Sequence, residues 1–276
     1  MTATDRDAER TERARELAEV VWVTPTGDDT FRADTPDWFG DRVFGGIIVA
    51  QALSAMRQTA ADDMRAHSLH GYFLRPALAG APVDLRVTRL RDGRSFRTRQ
   101  VEMRQGDKAV CLMASSFHAD EPGDEYQLAM DDVPAPEDLP APPADDGPPG
   151  PFEVRSVGPT PPERDGTYRS TRRAWCRCAP GVPDDDAIHA CVAAFLSDMT
   201  ETSFRPHSLG EWGGYTDASL DHAVWFHRPF RVDEWLLFDL HALINAGGRS
   251  VVRGALYRQD GQLCLSMAQE LLIRPL

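Results

Sequence analysis

The sequence predicts an α+β protein made of two tandem halves, each with a long helix wrapped by an antiparallel β-sheet. Three observations lead to this prediction. Short motifs recur along the chain at a nearly constant offset, each half contains one apolar helical stripe, and β-rich runs follow each stripe. The 276 residues have room for one large domain or two of ordinary size.

The internal repeat rests on three motif pairs that occur in the same order in both halves. GYFLRP (71–76) pairs with VWFHRP (224–229) at an offset of 153, GRS (93–95) with GRS (248–250) at 155, and CLMAS (111–115) with LSMAQ (265–269) at 154. Three ordered matches with so little drift indicate a duplicated domain.

The duplication divides the chain into three predicted segments. An N-terminal domain covers 1–118 and a C-terminal domain covers 167–276. Between them, 119–166 is rich in Pro, Asp and Gly and has little apolar periodicity. This composition predicts a partly extended linker.

Each half is expected to open with a helix. In the second half, apolar residues recur at helical spacing: Ile188, Cys191, Val192, Phe195, Leu196 and Met199. The preceding VPDDD supplies capping carboxylates and negative charge for the first turn. In the first half, GGIIVAQALSAM shows a comparable stripe, and VAQALSAM aligns with VAAFLSDM at an offset of 143.

After each helix come long β-rich runs. The turn signals RDG and QGD separate them in the first half, and NAGG and QDG do so in the second. Antiparallel strands joined by such short turns complete the predicted architecture of one helix and one sheet, made twice.

Composition excludes several classes of function. No run approaches the ~18 apolar residues of a membrane span, and the N-terminus is charged where a signal peptide would carry its apolar core. The net charge of −13 argues against sequence-independent nucleic-acid binding. The five cysteines lack the spacing of a zinc site. We therefore expect a cytoplasmic protein with free thiols and neither a metal nor a redox cofactor.

Basic residues are nonetheless dense in one region, where seven arginines fall within nineteen positions: Arg86, Arg89, Arg91, Arg94, Arg97, Arg99 and Arg104. A solvated hairpin face explains them most simply. The functional alternative is a phosphate-binding patch on an acidic protein.

The two halves differ at three polar positions. Asp198 aligns with Ala55, Ser219 with Ala66, and Gln269 with Ser115. If the fold itself required these polar groups, both halves would carry them.

Each of the three polar residues has an ordinary structural explanation when it is taken alone. Asp198 could be a surface residue at a helix end, Ser219 a turn residue, and Gln269 a partner for a backbone group. Burial and the negative end of the helix dipole would, however, make Asp198 a stronger proton acceptor. Together the three residues favour a catalytic trio in the second half.

Nearly the whole chain resembles the acyl-CoA thioesterase II family, which has a double hotdog fold. The resemblance rests on motifs in both halves: DRVFGGIIVAQAL, HSLHGYFLRP, FLSDMT, ASLDHAVWFHRPF and GALYRQDGQLCLSMAQELLIR. It implies that the chain hydrolyses fatty acyl-CoA to free fatty acid and CoA, with Asp198, Ser219 and Gln269 activating water. It also implies further association into a homo-oligomer.

Two positions depart from the family pattern. Ser219 stands where Thr is usual, which keeps the hydroxyl group, and Ile47 stands where Gln is common, which fits one site per chain. Either Asp198 takes the proton of water, or it orients the water while Gln269 polarises the carbonyl group. Gly45 and Gly46, at a helix N-terminus, are candidates for contact with the substrate.

Two other functions stay open. A double hotdog could bind acyl-CoA or an acyl carrier without turnover. An enoyl-CoA hydratase of this fold could use an Asp and a His separated by four residues, a spacing found in Asp62–His67 and Asp217–His222. A serine nucleophile is disfavoured, because GRSFR and GRSVV lack the last glycine of a G-x-S-x-G elbow.

Overall fold

The computed structural model describes residues 3–140, 151–157, 171–199 and 215–275. The helices of this part are α1 (Ala3–Val21), α2 (Gly45–Arg57) and α3 (Asp186–Ser197), with a 3₁₀ turn at Pro136–Asp138. The strands that precede residue 120 are β1 (Thr24–Gly27), β2 (Thr30–Ala33), β3 (Met64–Phe73), β4 (Val83–Asp92), β5 (Phe96–Gln105) and β6 (Lys108–Ala119). Those that follow are β7 (Phe152–Ser156), β8 (Thr171–Cys178), β9 (Tyr215–Ser219), β10 (Asp221–Phe226), β11 (Leu236–Ala246), β12 (Arg249–Arg258) and β13 (Leu263–Pro275).

The strands form one antiparallel sheet that continues from one half into the other. Its order is β1-β2-β4-β5-β6-β3-β10-β13-β12-β11-β8-β7, with β9 also paired to β13. The order of strands within the first half recurs in reverse in the second, so that β3 and β10 join the halves at the centre. The predicted α+β architecture with two tandem halves is confirmed.

Strand register supports the sequence alignment of the halves. Gly71 pairs with Met113 across β3 and β6, and Val224 pairs with Met267 across β10 and β13. The two pairs are related by the offsets of 153 and 154 found in the sequence. Residues aligned between the halves therefore occupy equivalent places in the two sheets.

The two central helices lie inside the curve of this sheet. In α2 every residue from Gly46 to Met56 is buried, and α3 is buried from Cys191 to Ser197. The helices pack against each other, with the rings of Phe44 and Phe195 in edge contact at 5.2 Å. The N-terminus of α2 consequently lies against the C-terminus of α3.

Part of the segment 119–166 packs on the second half. Strand β7 pairs with β8, and the Trp175 indole Nε1–H donates a hydrogen bond to the carbonyl oxygen of Pro134. The boundary drawn between residues 166 and 167 lies outside the described residues. Helix α1 buries Ala14, Leu17 and Val21.

Candidate active site

Asp198, Ser219 and Gln269 come together in the second half although 71 residues separate the first from the last. The Ser219 hydroxyl donates to Asp198 Oδ1 at 3.2 Å. The Gln269 amide Nε2 donates to the Ser219 Oγ at 2.7 Å and also to Asp198 Oδ1. Two of the side chains thus donate to one carboxylate oxygen of the third.

Local structure explains how each group reaches this point. Asp198 is the C-cap of α3, Ser219 ends β9 opposite Leu271, and Gln269 lies on β13. Leu265, Met267, Gln269 and Leu271 alternate along one buried face of β13, as their spacing in the sequence indicates. A buried amide without a partner would cost ~1–3 kcal/mol. Its hydrogen bonds to Asp198 and Ser219 remove that cost.

Burial differs among the three residues. Asp198 is fully buried (0% exposed) and Gln269 is 1% exposed, whereas Ser219 is partly exposed. Asp198 lies three residues beyond Phe195, at the edge of the apolar stripe of α3, a position that indicates only partial shielding from water; its burial is more complete than this position indicates. A small molecule would approach this group of side chains from the side of Ser219.

The first turn of α2 faces the same carboxylate. A Cβ atom built on Gly45 would lie 2.5 Å from Asp198 Oδ2 and 3.3 Å from the Phe73 ring. A Cβ atom on Gly46 would lie 2.5 Å from the carbonyl oxygen of Phe195. The glycine pair therefore lets the N-terminus of α2 approach the C-terminus of α3 closely.

The N-termini of α2 and α3 differ in whether a side chain caps their first backbone N–H groups. The N-cap of α3 is Asp185, whose carboxylate accepts a 2.7 Å hydrogen bond from the Ala187 backbone N–H. The N-cap of α2 is Phe44, which makes no side-chain cap. The first N–H groups of a helix lack intrahelical acceptors. At α2, the N–H groups of Gly45 and Gly46 are therefore suited to binding an oxygen that carries negative charge.

His222 also lies beside Asp198. The sequence pointed to His222 in the Asp217–His222 spacing of a hydratase, but not as a neighbour of Asp198. Nδ1 of His222 lies 3.8 Å from Asp198 Oδ1, and its Nε2 lies 2.8 Å from the Ser197 hydroxyl. Burial lowers the pKa of His222 to about 3, so the ring is neutral at neutral pH. The sequence feature that could have pointed to His222 is its position three residues after Ser219, on β10, the strand that pairs with β13.

A cavity of about 580 Å³, lined by residues of both halves, lies at the place that the internal repeat makes equivalent to this site. Its lining includes Leu53, Arg57, Ala66, Ala187, Ala190 and Phe226. Ala66 is the counterpart of Ser219, and the cavity lies between the C-terminus of α2 and the N-terminus of α3. The place equivalent to the candidate site thus has alanine where the second half has the hydroxyl group of Ser219.

Four arginines of the dense region make internal contacts. Arg89 binds Asp29 through two nitrogens, and Arg104 binds Glu102 at 2.6 Å. Arg99 is buried and donates to Asp92 at 2.5 Å and to Thr59 at 3.0 Å, while Arg97 lies 3.7 Å from Asp92. These contacts favour the structural explanation for those four arginines over phosphate binding.

Within the described ranges, no group of three or more His, Cys, Asp or Glu side chains is placed to hold a metal ion. The five cysteines are buried free thiols, and burial raises the pKa of Cys178 to about 12. None of the described helices is long and apolar enough to cross a membrane.

Family models match both halves of the chain. The model described as acyl-CoA thioesterase N-terminal domain matches residues 35–118, and the one described as acyl-CoA thioesterase C-terminal domain matches residues 130–273. Among curated proteins, acyl-CoA thioesterase 2 of Haemophilus influenzae is 36% identical over 94% of this chain and 96% of its own length. Human acyl-coenzyme A thioesterase 8 is 33% identical over 92% of this chain and 88% of its own.

Solved structures give the same result. An acyl-CoA thioesterase II from Mycobacterium marinum is 33% identical, with a TM-score of 0.80 over 95% of this chain and 98% of that one. A hot dog protein from Alicyclobacillus acidocaldarius is 22% identical, with a TM-score of 0.77 over 94% of this chain and 98% of that one, a likeness that shows the fold alone.

Proposed function

The chain belongs to the acyl-CoA thioesterase II family, and from that premise we propose that Asp198, Ser219 and Gln269 hydrolyse the thioester of fatty acyl-CoA by direct attack of water. Its reaction class is acyl-CoA thioester hydrolysis. The observation that carries the assignment of residues is the convergence of the Ser219 hydroxyl and the Gln269 amide on Oδ1 of Asp198.

In this mechanism Asp198 is the general base. A water molecule that replaces the direct contact between Gln269 and Asp198 accepts a hydrogen bond from the amide and donates one to Oδ1. Ser219 fixes the water from the partly exposed side. When the water oxygen bonds to the thioester carbon, its proton passes to Asp198. Positioned general bases contribute about 10²- to 10⁴-fold to such reactions.

The negative charge that develops on the thioester oxygen needs donors. The N–H groups of Gly45 and Gly46 supply them, because α2 has no side-chain cap and begins beside Asp198. The C–S bond then breaks, and the proton held by Asp198 passes to the sulfur of CoA. One water molecule is consumed, and Asp198 returns to its carboxylate form.

A second mechanism uses the same carboxylate as a nucleophile. Asp198 would then form an anhydride with the acyl group before water releases the fatty acid. The hydrogen bonds from Ser219 and Gln269 favour the water mechanism, because they place two groups that can hold a water molecule beside Oδ1 of Asp198. In the other division of roles, Asp198 orients the water and the Gln269 amide polarises the thioester carbonyl.

Isotope labelling tests the form of the anhydride route in which water attacks the Asp198 carbonyl. A single turnover in H₂¹⁸O with enzyme in excess should place one ¹⁸O atom in the fatty acid if water attacks the thioester directly. If the anhydride forms and water attacks the Asp198 carbonyl, the ¹⁸O should instead appear in the protein. Label in the protein would overturn the proposed mechanism.

Steady-state assays test the reaction against its alternatives. We expect release of free thiol from a series of saturated acyl-CoA substrates, and no addition of water to the matched enoyl-CoA. Thiol release at the rate of buffer alone, with tight acyl-CoA binding, would establish a binding protein. Water addition would establish a hydratase, although Asp217 and His222 lie on separate strands, β9 and β10, rather than on a helix.

We also propose that the chain acts as a homo-oligomer. Apolar side chains are exposed on the central strands, where Tyr72 is 63% exposed opposite Leu112 and Trp225 is 38% exposed opposite Ser68. Such a patch is suited to burial between copies of the chain. Light scattering at several protein concentrations should give a mass of at least twice 30.6 kDa, and a mass of 30.6 kDa throughout would contradict the proposal.

Two further assignments complete the proposal. We place the domain boundaries at 1–118 and 167–276 with a linker at 119–166, and the protein in the cytoplasm, where five free thiols stay reduced. Limited proteolysis should cut first between residues 119 and 166, and cell fractionation should recover the protein with cytosolic enzymes.

A further inference from the structure

A buried histidine beside the candidate base has no role in the mechanism above. His222 lies on β10, is 1% exposed, and directs Nδ1 toward Asp198 Oδ1 across 3.8 Å. Within the described residues, Asp198 is the one carboxylate within 4 Å of this ring, and Nδ1 has no hydrogen-bond partner. A polar nitrogen buried without a partner costs free energy, so its presence in this place calls for an explanation.

The surrounding hydrogen bonds decide which ring nitrogen carries the proton. The Ser197 Oγ lies 2.8 Å from the carbonyl oxygen of Ala194 and 2.8 Å from His222 Nε2. A carbonyl oxygen only accepts, and this one belongs to the last turn of α3, where carbonyl groups lack intrahelical donors. The single hydroxyl hydrogen of Ser197 therefore goes to Ala194.

The Ser197 oxygen therefore accepts the hydrogen bond between the two residues, and His222 Nε2–H donates it. Because the buried ring is neutral, Nδ1 then carries a lone pair and no hydrogen. A lone pair that faces a carboxylate oxygen repels its negative charge. The same lone pair can accept a hydrogen bond once that oxygen carries a proton.

We propose that His222, held in its Nε2–H form by Ser197, is a positioning residue that makes Asp198 a stronger base. Before the reaction, the carboxylate stays 3.8 Å from Nδ1 and accepts hydrogen bonds from Ser219 and Gln269. After water gives its proton to Oδ1, the neutral carboxyl group donates to Nδ1 by closing this distance by about 1 Å.

The proton balance of the reaction is unchanged by this step. The proton that Asp198 takes from water remains on its carboxyl group until the C–S bond breaks, and it then passes to the thiolate of CoA. His222 gains and loses no proton. Its contribution is to stabilise the protonated form of Asp198 relative to the carboxylate, which assists proton transfer from water.

This inference rests on the proposed function for its kinetic consequences, but its premise can be measured without turnover. The ¹⁵N chemical shifts of a histidine ring distinguish its two neutral forms. In protein labelled with ¹⁵N-histidine, the His222 signal, assigned among the eight histidines by through-bond correlations, should show a protonated Nε2 and a bare Nδ1 from pH 5 to 8. A protonated Nδ1 would overturn the inference, whatever the activity of the protein.

Kinetics test the consequence. Ser197→Ala removes the acceptor that fixes the tautomer, so Nδ1–H can form and donate to the Asp198 carboxylate. We expect kcat to fall about tenfold and the acid limb of kcat/KM to move down by about one pH unit. Ser197→Thr, which keeps the hydroxyl group, should restore both quantities. A purely structural role would lower the melting temperature and leave the pH profile unmoved, and that result would overturn the inference.

Discussion

Gly45 and Asp198 approach so closely that a Cβ atom at residue 45 would lie 2.5 Å from the carboxylate Oδ2. The contact joins the N-terminus of one central helix to the C-terminus of the other. Packing between the two halves therefore sets the position of the proposed base, Asp198, and side chains from the second half alone do not.

Gly45→Ala tests this contact. Cβ atoms do not approach other heavy atoms within 3.0 Å, so either Asp198 or the helix must move. We expect kcat to fall about tenfold or more, because displacements of ~1 Å at a reacting group cost about 100-fold. Gly123→Ala, where a Cβ atom meets nothing within 4 Å, is the control. Equal kcat values for the two variants would contradict the geometry.

The hydroxyl of Ser219 is expected to matter more than the identity of the residue. Ser219→Ala removes a donor to a buried carboxylate and should lower kcat/KM by about 10- to 100-fold. Ser219→Thr should stay within a few-fold of the parent. Ser115→Ala, at the counterpart of Gln269 in the first half, removes a hydroxyl bonded to the Ser68 carbonyl oxygen and should leave kcat/KM unchanged. A loss of similar size in Ser115→Ala would argue against a single site in the second half.

The cap of α3 should affect stability and not catalysis. Asp185→Ala removes the acceptor of the Ala187 N–H and should lower the free energy of unfolding by about 0.5–2 kcal/mol. Urea denaturation measures this change, and thiol release measured in parallel should keep the parental kcat. A large loss of kcat would mean that the N-terminus of α3 also takes part in the reaction.

His222 should make the fold sensitive to acid. Its pKa is about 3 in the folded protein and near 6.5 in the unfolded chain. Below pH 6.5 the unfolded chain takes up a proton that the folded protein does not, so stability present above pH 6.5 is lost as the pH falls toward 3. Urea midpoints for His222→Gln should therefore decline less steeply between pH 6.5 and 4.5 than those of the parent. Equal slopes would contradict the assigned burial.

Much of the fold and of the candidate site could be predicted from the sequence, because duplication provides an internal comparison. The alternation of Leu265, Met267 and Leu271 identified Gln269 as an inward-facing amide, and alignment with Ala55 and Ala66 marked Asp198 and Ser219. Periodicity and turn signals were sufficient to predict both helices and the hairpins.

The rest depended on tertiary contacts without a local signal. The pairing of β3 with β10, which unites the sheets, could not be read from either strand alone. Strand β7 lies in a stretch whose composition indicates a linker, and its pairing with β8 overrides that composition. His222 lies near Ser219 in sequence, but its role depends on Ser197, which α3 brings to it.

Hydrolysis by Asp198→Asn tests the central claim most directly, since the substitution keeps the shape of the side chain and removes its capacity to take a proton. We predict that kcat for thiol release falls about 10²- to 10⁴-fold. Binding of a thioether analogue of acyl-CoA, measured by calorimetry, should stay within a few-fold of the parent. A kcat within a few-fold of the parent would show that another group activates the water.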